Sequence, residues 1–383
     1  MAWRNITVEQ ERLTFIDAAM NPHQKLTFEA LCQEYNISTK TGYKWLNRFR
    51  EHGKEGLRDM SRARLTQNKR ISDDVQESII KIRLEFPRWG PKKIYSELTT
   101  HYSHLETPSE GSIGNILKKC NLSRSRIYRR HVAQTAPLNE CEAPNDIWAY
   151  DFKGWFLTGD GQKCEPLTIT DGYSRYLIRC EHMKKKNTNS VWRILEDAFL
   201  EYGLPLRMRS DNGPPFATTG LGRLSPLAIR LIKAGVTPEW IEPGCPQENG
   251  RHERFHSTLK SESASPPASS LPLQCVKFEQ FVHYYNNRRP HEALHQVTPA
   301  TVYKPSTRLW DGKFYSPEYS SEYDVRKVDK GGSISWKGEV FFLSESLWKE
   351  YVGIKEISSG KMGVYYGPIL LGKIDLTKGF KRL

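Results

Sequence analysis

Between residues 25 and 52 apolar positions recur at helical spacing. Phe28, Leu31 and Cys32 lead to Tyr35, Asn36-Ile37-Ser38 interrupts, and Tyr43, Trp45, Leu46 and Phe49 resume the pattern to His52. The spacing predicts two helices around a tight turn, with Ser38 capping the second. A second helical stretch follows. Val75, Ile79, Ile82 and Phe86 share one face, Trp89-Gly90-Pro91 opens a helix carrying Ile94, Tyr95 and Leu98, and Ile113, Ile116 and Leu117 mark a third. At Ile147 the period changes from helical to alternating, predicting strands over 148–156, 166–171 and 175–181. An amphipathic helix over 190–202 comes next, then a strand over 206–210, a helix over 224–234 and a strand over 236–241. Arg251 to Ser263 lacks Pro and Gly and reads as a helix, as does 276–287 beyond a Pro-rich segment at 266–272. From Tyr323 onward six short strands separated by glycine turns predict a small β-barrel. Three strands in meander followed by strands alternating with helices predict a mixed sheet covered by helices.

The pattern divides the chain into a helix-turn-helix DNA-binding domain expected at 1–55, a basic linker at 56–71, a second helical DNA-binding domain expected at 72–122 and a second basic linker at 123–143. An α/β domain at 144–300 and the β-domain at 301–383 complete it. Charge separates their roles. Of a net +13, residues 1–140 hold 24 Lys and Arg against 16 Asp and Glu, whereas residues 141–299 are almost balanced at 19 against 18. A basic head points to a polyanionic partner, and the helix-turn-helix places its second helix to enter a DNA major groove. Thr39, Lys40, Thr41, Lys44 and Arg48 decorate that helix. Arg58, Arg62 and Arg64 in the first linker, with Arg124 and Arg126 in the second, suit phosphate tracking or minor-groove insertion. No run of about 18 apolar residues exists to span a membrane. The N-terminal segment has no apolar h-region, so no export signal is expected. Seven scattered cysteines without a C-x-x-C pair read as reduced thiols of a cytoplasmic protein.

The neutral middle third holds its carboxylates in conspicuous places. Asp151 interrupts a strand of apolar and aromatic residues, where a charge needs either a partner or a ligand role. Asp211 ends a strand immediately before Asn212-Gly213, a turn sequence in its own right. Glu253 lies early on a helix that Phe255 and Leu259, four apart, would anchor to a core. Glu253, His256 or Ser257, and Lys260 share another face of it, which in a bland reading is a solvated face with a Glu–Lys pair. Two strand carboxylates and one on a helix packed against the same sheet can converge on two Mg²⁺ ions, which favour hard oxygen ligands and keep positions open for phosphate.

Four motifs occur in order: Trp148-x-x-Asp151, Ser210-Asp-Asn-Gly213, Pro246-Gln-x-Asn-Gly-x-x-Glu253 with Lys260 seven further on, and Tyr285-Asn-x-x-Arg-Pro-His291. Together they resemble bacterial insertion-sequence transposases related to retroviral integrases. The resemblance implies an RNase H-like catalytic domain whose DDE triad falls on Asp151, Asp211 and Glu253. It implies two Mg²⁺ or Mn²⁺ ions per active site, terminal inverted repeats and target DNA as double-stranded substrates, and a dimer or tetramer holding two ends in the bacterial nucleoid. Arg254 and Lys260 would then contact phosphate, with Asn249 and His256 lining the site near the donor strand. Three departures stand out. The Asp211–Glu253 interval of 41 residues is longer than retroviral integrases usually carry, and Pro214–Arg223 is a loop that could absorb the excess. The retroviral zinc-binding head is replaced by helix-turn-helix units, and the β-tail matches only loosely. The competing readings are a catalytically idle DNA-binding regulator and a nuclease of the same fold that cleaves without joining.

Overall fold

A computed structural model of the chain describes residues 7–59, 71–123, 141–242, 250–358, 360–375 and 379–382. It divides into two compact units, Met1–Ile71 and Ser72–Leu383.

In the first unit, α1 (Val8–Met20), α2 (Phe28–Glu34) and α3 (Thr39–His52) enclose Phe15, Ile16, Leu31, Cys32, Trp45, Leu46 and Leu57. Ser38 caps α3 as expected, accepting from Thr41 N at 3.2 Å. Gly42 lets the helices meet closely, because a Cβ there would fall 2.6 Å from Cys32 Sγ. The apolar pattern did not reveal α1, which buries only Phe15 and Ile16 and is started by a capping box between Thr7 and Gln10. Thr39, Lys40 and Lys44 are exposed on α3. Thr41 instead bonds the Ser38 hydroxyl at 2.9 Å, Arg48 lies over Trp45 and donates to the Arg58 carbonyl at 3.0 Å, and Arg58 pairs with Glu55 at 3.2 Å. Arg62, Arg64, Arg124 and Arg126 lie outside the described residues.

The second unit opens with α4 (Asp73–Glu85), α5 (Pro91–His101) and α6 (Glu110–Lys119) around Val75, Ile79, Ile82, Ile94, Leu98, Ile113 and Leu117. The central sheet is built from β1 (Ile147–Phe152), β4 (Pro166–Asp171), β5 (Leu177–His182), β6 (Arg207–Ser210) and β7 (Thr237–Trp240), in the order β5-β4-β1-β6-β7. A two-residue hairpin, β2 (Phe156–Leu157) with β3 (Lys163–Cys164), follows β1. β1, β4 and β5 form an antiparallel meander, whereas β6 and β7 run parallel to β1 and need the helical crossovers α7 (Thr188–Tyr202) and α8 (Pro226–Lys233). Alternation along β1 assigns the two faces. Trp148 and Tyr150 pack with Leu167, Ile169, Met208, Phe199 and Leu231 under α7 and α8. The opposite face is covered by α9 (Gly250–Glu262) and α10 (Leu271–Asn287), which contribute Phe255, Leu259, Phe278, Phe281 and Tyr285 against Cys164, Leu177 and Cys180. The Pro-rich segment is shorter than its composition predicts, since α10 already begins at Leu271 with Pro272 in its first turn, where a proline costs no hydrogen bond.

Beyond a short helix α11 (Pro299–Val302), the tail contains β8 (Asp324–Lys327), β9 (Ser333–Trp336), β10 (Glu339–Phe342), β11 (Tyr351–Ser358), β12 (Lys361–Tyr366), β13 (Ile369–Asp375) and β14 (Gly379–Arg382). They form a five-stranded sheet, β14-β13-β12-β11-β8, and a separate β9–β10 ribbon. Among the described residues no strand pairing closes these into the expected barrel. The tail packs on the central domain: Val352, Ile354, Val364 and Leu371 share a core with Leu221, Leu224, Ala228 and Ile232, and Lys233 of α8 pairs with Glu350 at 2.7 Å. The long Asp211–Glu253 interval therefore serves as a docking surface. Gly222, at a positive φ of 57°, sits where a Cβ would press on Leu371 at 2.9 Å.

The Tyr285–His291 motif has a structural task in this fold. The buried Asn286 carboxamide accepts from Leu177 N at 2.8 Å and donates to Leu177 O at 2.9 Å, substituting for a neighbouring strand at the sheet's β5 edge. Replacing Asn286 by Ala strands both backbone groups, so we expect a loss of about 2–4 kcal/mol in urea unfolding; an unchanged midpoint would show that β5 does not depend on this clamp.

Candidate active site

Four residues of α9, namely His252, Phe255, His256 and Leu259, share the side turned to the sheet. Phe255 and Leu259 supply the apolar anchor. The Phe255 ring meets Tyr285 edge-on at 5.3 Å, and Leu259 is fully buried. The two imidazoles meet the polar residues of β4. Thr168 Oγ1 lies 2.7 Å from His252 Nε2, 2.8 Å from His256 Nε2 and 3.1 Å from the Asp151 carbonyl oxygen, while Thr170 Oγ1 lies 3.3 Å from His252 Nδ1. One assignment satisfies all four contacts: Thr168 donates to the carbonyl and accepts from both Nε2–H groups, and Thr170 donates to His252 Nδ1. Burial, then the neighbouring His256, pushes His252 well below the usual histidine range. Burial, then Lys153, pushes His256 down to about 3. Both rings are therefore neutral near pH 7.

Asp151 stands opposite Thr168 on β1, on this same face of the sheet. Its carboxylate and the nitrogens of His252 and His256 include ligand atoms that all lie within 4.8 Å of one another. Asp211 follows β6. The parallel register pairs Ile147 with Arg207, Trp148 with Met208 and Ala149 with Arg209, and ends two residues short of both Asp151 and Asp211. Side chains so paired point to the same face, and neighbouring strands lie about 4.8 Å apart. The turn expected at Asp211-Asn212-Gly213 is present. Gly213 N donates to Asp211 Oδ1 at 3.1 Å, and Asn212 ties the turn to the end of β7 through the Ile241 carbonyl at 2.8 Å.

Glu253 lies exposed in the first turn of α9. On an ideal helix it is turned only about 20° from Lys260 and about 60° from His256, so all three belong to the same side. The Lys153 ammonium is pushed down by burial and then by Lys260 of this helix. His256 itself turns inward to Thr168 and is half-buried, Arg254 is exposed and donates to the Gly250 carbonyl at 3.2 Å, and Asn249 lies outside the described residues. Sequence reasoning missed Lys153, Thr168 and His252. The His252-x-x-x-His256 spacing, in phase with Phe255 and Leu259, was the available signal for one of them. Among the described residues, the group brought within reach of one ion is Asp151 with His252 and His256, without Asp211 or Glu253; a carboxylate with two neutral imidazoles is a mixed donor set of the kind that suits zinc-like ions.

The mixed sheet flanked by helices lies in the part of the chain that matches a known domain family. Residues 142–246 and 234–299 both match the Integrase core domain, residues 11–64 a Helix-turn-helix domain and residues 41–117 a Homeodomain-like domain. Residues 323–381 match the C-terminal domain of IS481 family transposases. It is 25% identical over 220 residues to the 39.2 kDa protein of insertion element IS476 from Xanthomonas euvesicatoria, covering 57% of each chain. The 31.7 kDa protein of insertion element IS407 from Burkholderia multivorans is 26% identical over 225 residues, 58% of this chain and 78% of that one. The match thus spans little more than half the length of the first of these relatives. Among solved structures, the HTLV-2 integrase catalytic core domain in complex with magnesium covers 42% of this chain and 97% of its own, at 17% identity and a TM-score of 0.34. Among the described residues no helix is long and apolar enough to cross a membrane.

The buried imidazoles give a pH signature. Unfolding raises their pKa, so the unfolded chain binds protons first, and the stability they contribute is complete above about pH 6.5 and falls with pH, that of His256 being lost as pH falls toward 3. Urea unfolding between pH 7 and 4 should steepen by up to about 1.4 kcal/mol per pH unit for each such histidine, and His256→Asn should remove one share. Parallel pH slopes for the two proteins would contradict the buried neutral assignment.

Proposed function

We propose that this protein is a DDE transposase that binds the terminal inverted repeats of its element, cleaves at the ends and joins each 3′-OH to target DNA. What supports the reading is the β1–β6 register, which continued two residues past its last pair would set Asp151 beside Asp211, together with α9 lying over Asp151 and carrying Glu253 in its first turn. Asp151, Asp211 and Glu253 would hold two Mg²⁺ or Mn²⁺ ions. When bound, such a pair supplies Lewis-acid polarisation of the scissile phosphate and activation of the attacking oxygen.

The chain's own residues do the positioning. Lys153 and Lys260 hold a non-bridging phosphate oxygen of the donor strand, and Arg254 and Asn249 border its path. Thr168, held by both imidazoles, fixes the Asp151 backbone, so His256 acts through the sheet and not as a direct DNA ligand. In the first step water attacks the phosphorus at the element end, and the 3′ oxygen leaves and takes a proton. In the second step that 3′-OH attacks a target phosphodiester, gives up its proton and displaces the target 3′ oxygen, so one ester bond forms as another breaks. The helical modules over 25–130 read the repeats, with Lys40, Lys44 and the basic linkers against phosphate. A dimer or tetramer would hold two ends in the bacterial nucleoid, and the C-terminal sheets would contribute DNA or subunit contacts.

Asp151→Asn should abolish both nicking and joining of a labelled end duplex while leaving its binding unchanged in a mobility-shift assay, since only ligand charge is removed. Joining that survives in this variant would refute the assignment.

A further inference from the structure

The helices α4–α6 and the catalytic sheet are joined by contacts that neither end's chemistry requires. Trp89, fully buried between α4 and α5, donates its indole N–H to Tyr284 Oη of α10 at 2.8 Å, and Phe86 stacks against both rings at 4.1 and 5.5 Å. Arg288, just beyond α10, reaches Glu97 of α5 at 2.9 Å and Glu85 of α4 at 3.3 Å, and its guanidinium covers the Phe86 ring. The Glu97 side chain is only 1% exposed, so it depends on that partner. Lys92 pairs with Glu292 at 2.7 Å, and Ser96 Oγ donates to the Gln296 carbonyl at 3.1 Å.

The next residue continues the connection. Arg289 pairs at 2.5 Å with Glu262, the last residue of α9, and both side chains are largely buried. Two consecutive arginines therefore link α4 and α5 to the helix that carries Glu253. The module is also braced within itself, because Arg83 of α4 donates to the carbonyls of Leu122, beyond α6, and of Trp89. All these contacts use α4, α5 and the Trp89 turn. On α6, by contrast, Asn115, Lys118 and Lys119 remain exposed while Ile113, Ile116 and Leu117 face the module's core. A helix with one side buried and a basic side free is placed to enter a groove.

We infer that α4–α6 and the catalytic sheet form one rigid ruler, in which Arg288 and Arg289 fix how far from the sequence contacted by α6 the scissile phosphate lies. This rests on the transposase reading above. It assigns cleavage-position specificity to residues that touch neither DNA nor metal, and so makes them positioning residues. Loosening the joint leaves each half folded and able to bind DNA, but lets the catalytic face sample neighbouring phosphates.

The test uses the full-length chain and a labelled duplex of the DNA bordering its own gene, with Mg²⁺ or Mn²⁺, read at single-nucleotide resolution. The wild type should cut one phosphodiester. Arg288→Ala should lower the ratio of that cut to its neighbours about tenfold or more, because it takes a charged partner from the buried Glu97 carboxylate and uncovers the Phe86 ring. Lys118→Ala should weaken binding without moving the cut. Hydroxyl-radical footprints of the same duplex, taken in the Asp151→Asn background, decide the matter separately from chemistry. The protections from α6 and from the catalytic face should keep a fixed spacing that Arg288→Ala blurs. A variant that cuts at the wild-type position with an unchanged footprint overturns the ruler. A wild type that never cuts, yet shows a footprint spacing blurred by Arg288→Ala, overturns the transposase reading and upholds the ruler.

Discussion

The arrangement depends on one packing constraint: α9 must lie on the open face of the sheet in a single rotation. Phe255 and Leu259 enter the apolar cluster shared with α10, and His252 and His256 enter the hydroxyl layer of β4. A helix so held on two kinds of contact cannot rotate by one residue without exposing a large apolar ring and burying a charge. That rotation decides where Glu253 and Lys260 emerge. The site is therefore a product of the helix's buried side, although its chemistry lies on the exposed one.

Electrostatics follow from the same geometry. Burial of Lys153, and then Lys260, pushes its ammonium pKa down. Neutral imidazoles, which add no charge, fill the space between helix and sheet. In the proposed transposase these cationic groups would meet a phosphate, and the uncharged imidazoles would leave the metal to the carboxylates. The separation of charge along the sequence, a basic head before a balanced middle, is repeated at shorter range around this one helix.

Much of this was legible in the residues. Asp151 was conspicuous because a carboxylate in a run of aromatic strand residues has no apolar explanation, and Phe255 and Leu259 announced the buried side of α9 by their spacing. The mixed sheet followed from a meander giving way to strand–helix alternation. Other features left no periodic trace. Helix α1 buries two residues and has no stripe to read. The tail's strands were visible one by one, but their pairing into an open sheet and a ribbon is a long-range property. Arg288 and Glu97 are 191 residues apart, and only the fold brings them together. His252 looked like one more polar residue of a solvated helix until β4 supplied Thr168 and Thr170.

The central claim is that three carboxylates, and not the carboxylate with two imidazoles, hold the ions. Crystals soaked in Mn²⁺ and measured at the manganese absorption edge test it most directly. The account predicts two anomalous peaks, one shared by Asp151 and Asp211 and one reaching Glu253. A single peak ligated by Asp151, His252 and His256, with Glu253 turned to solvent, would contradict it.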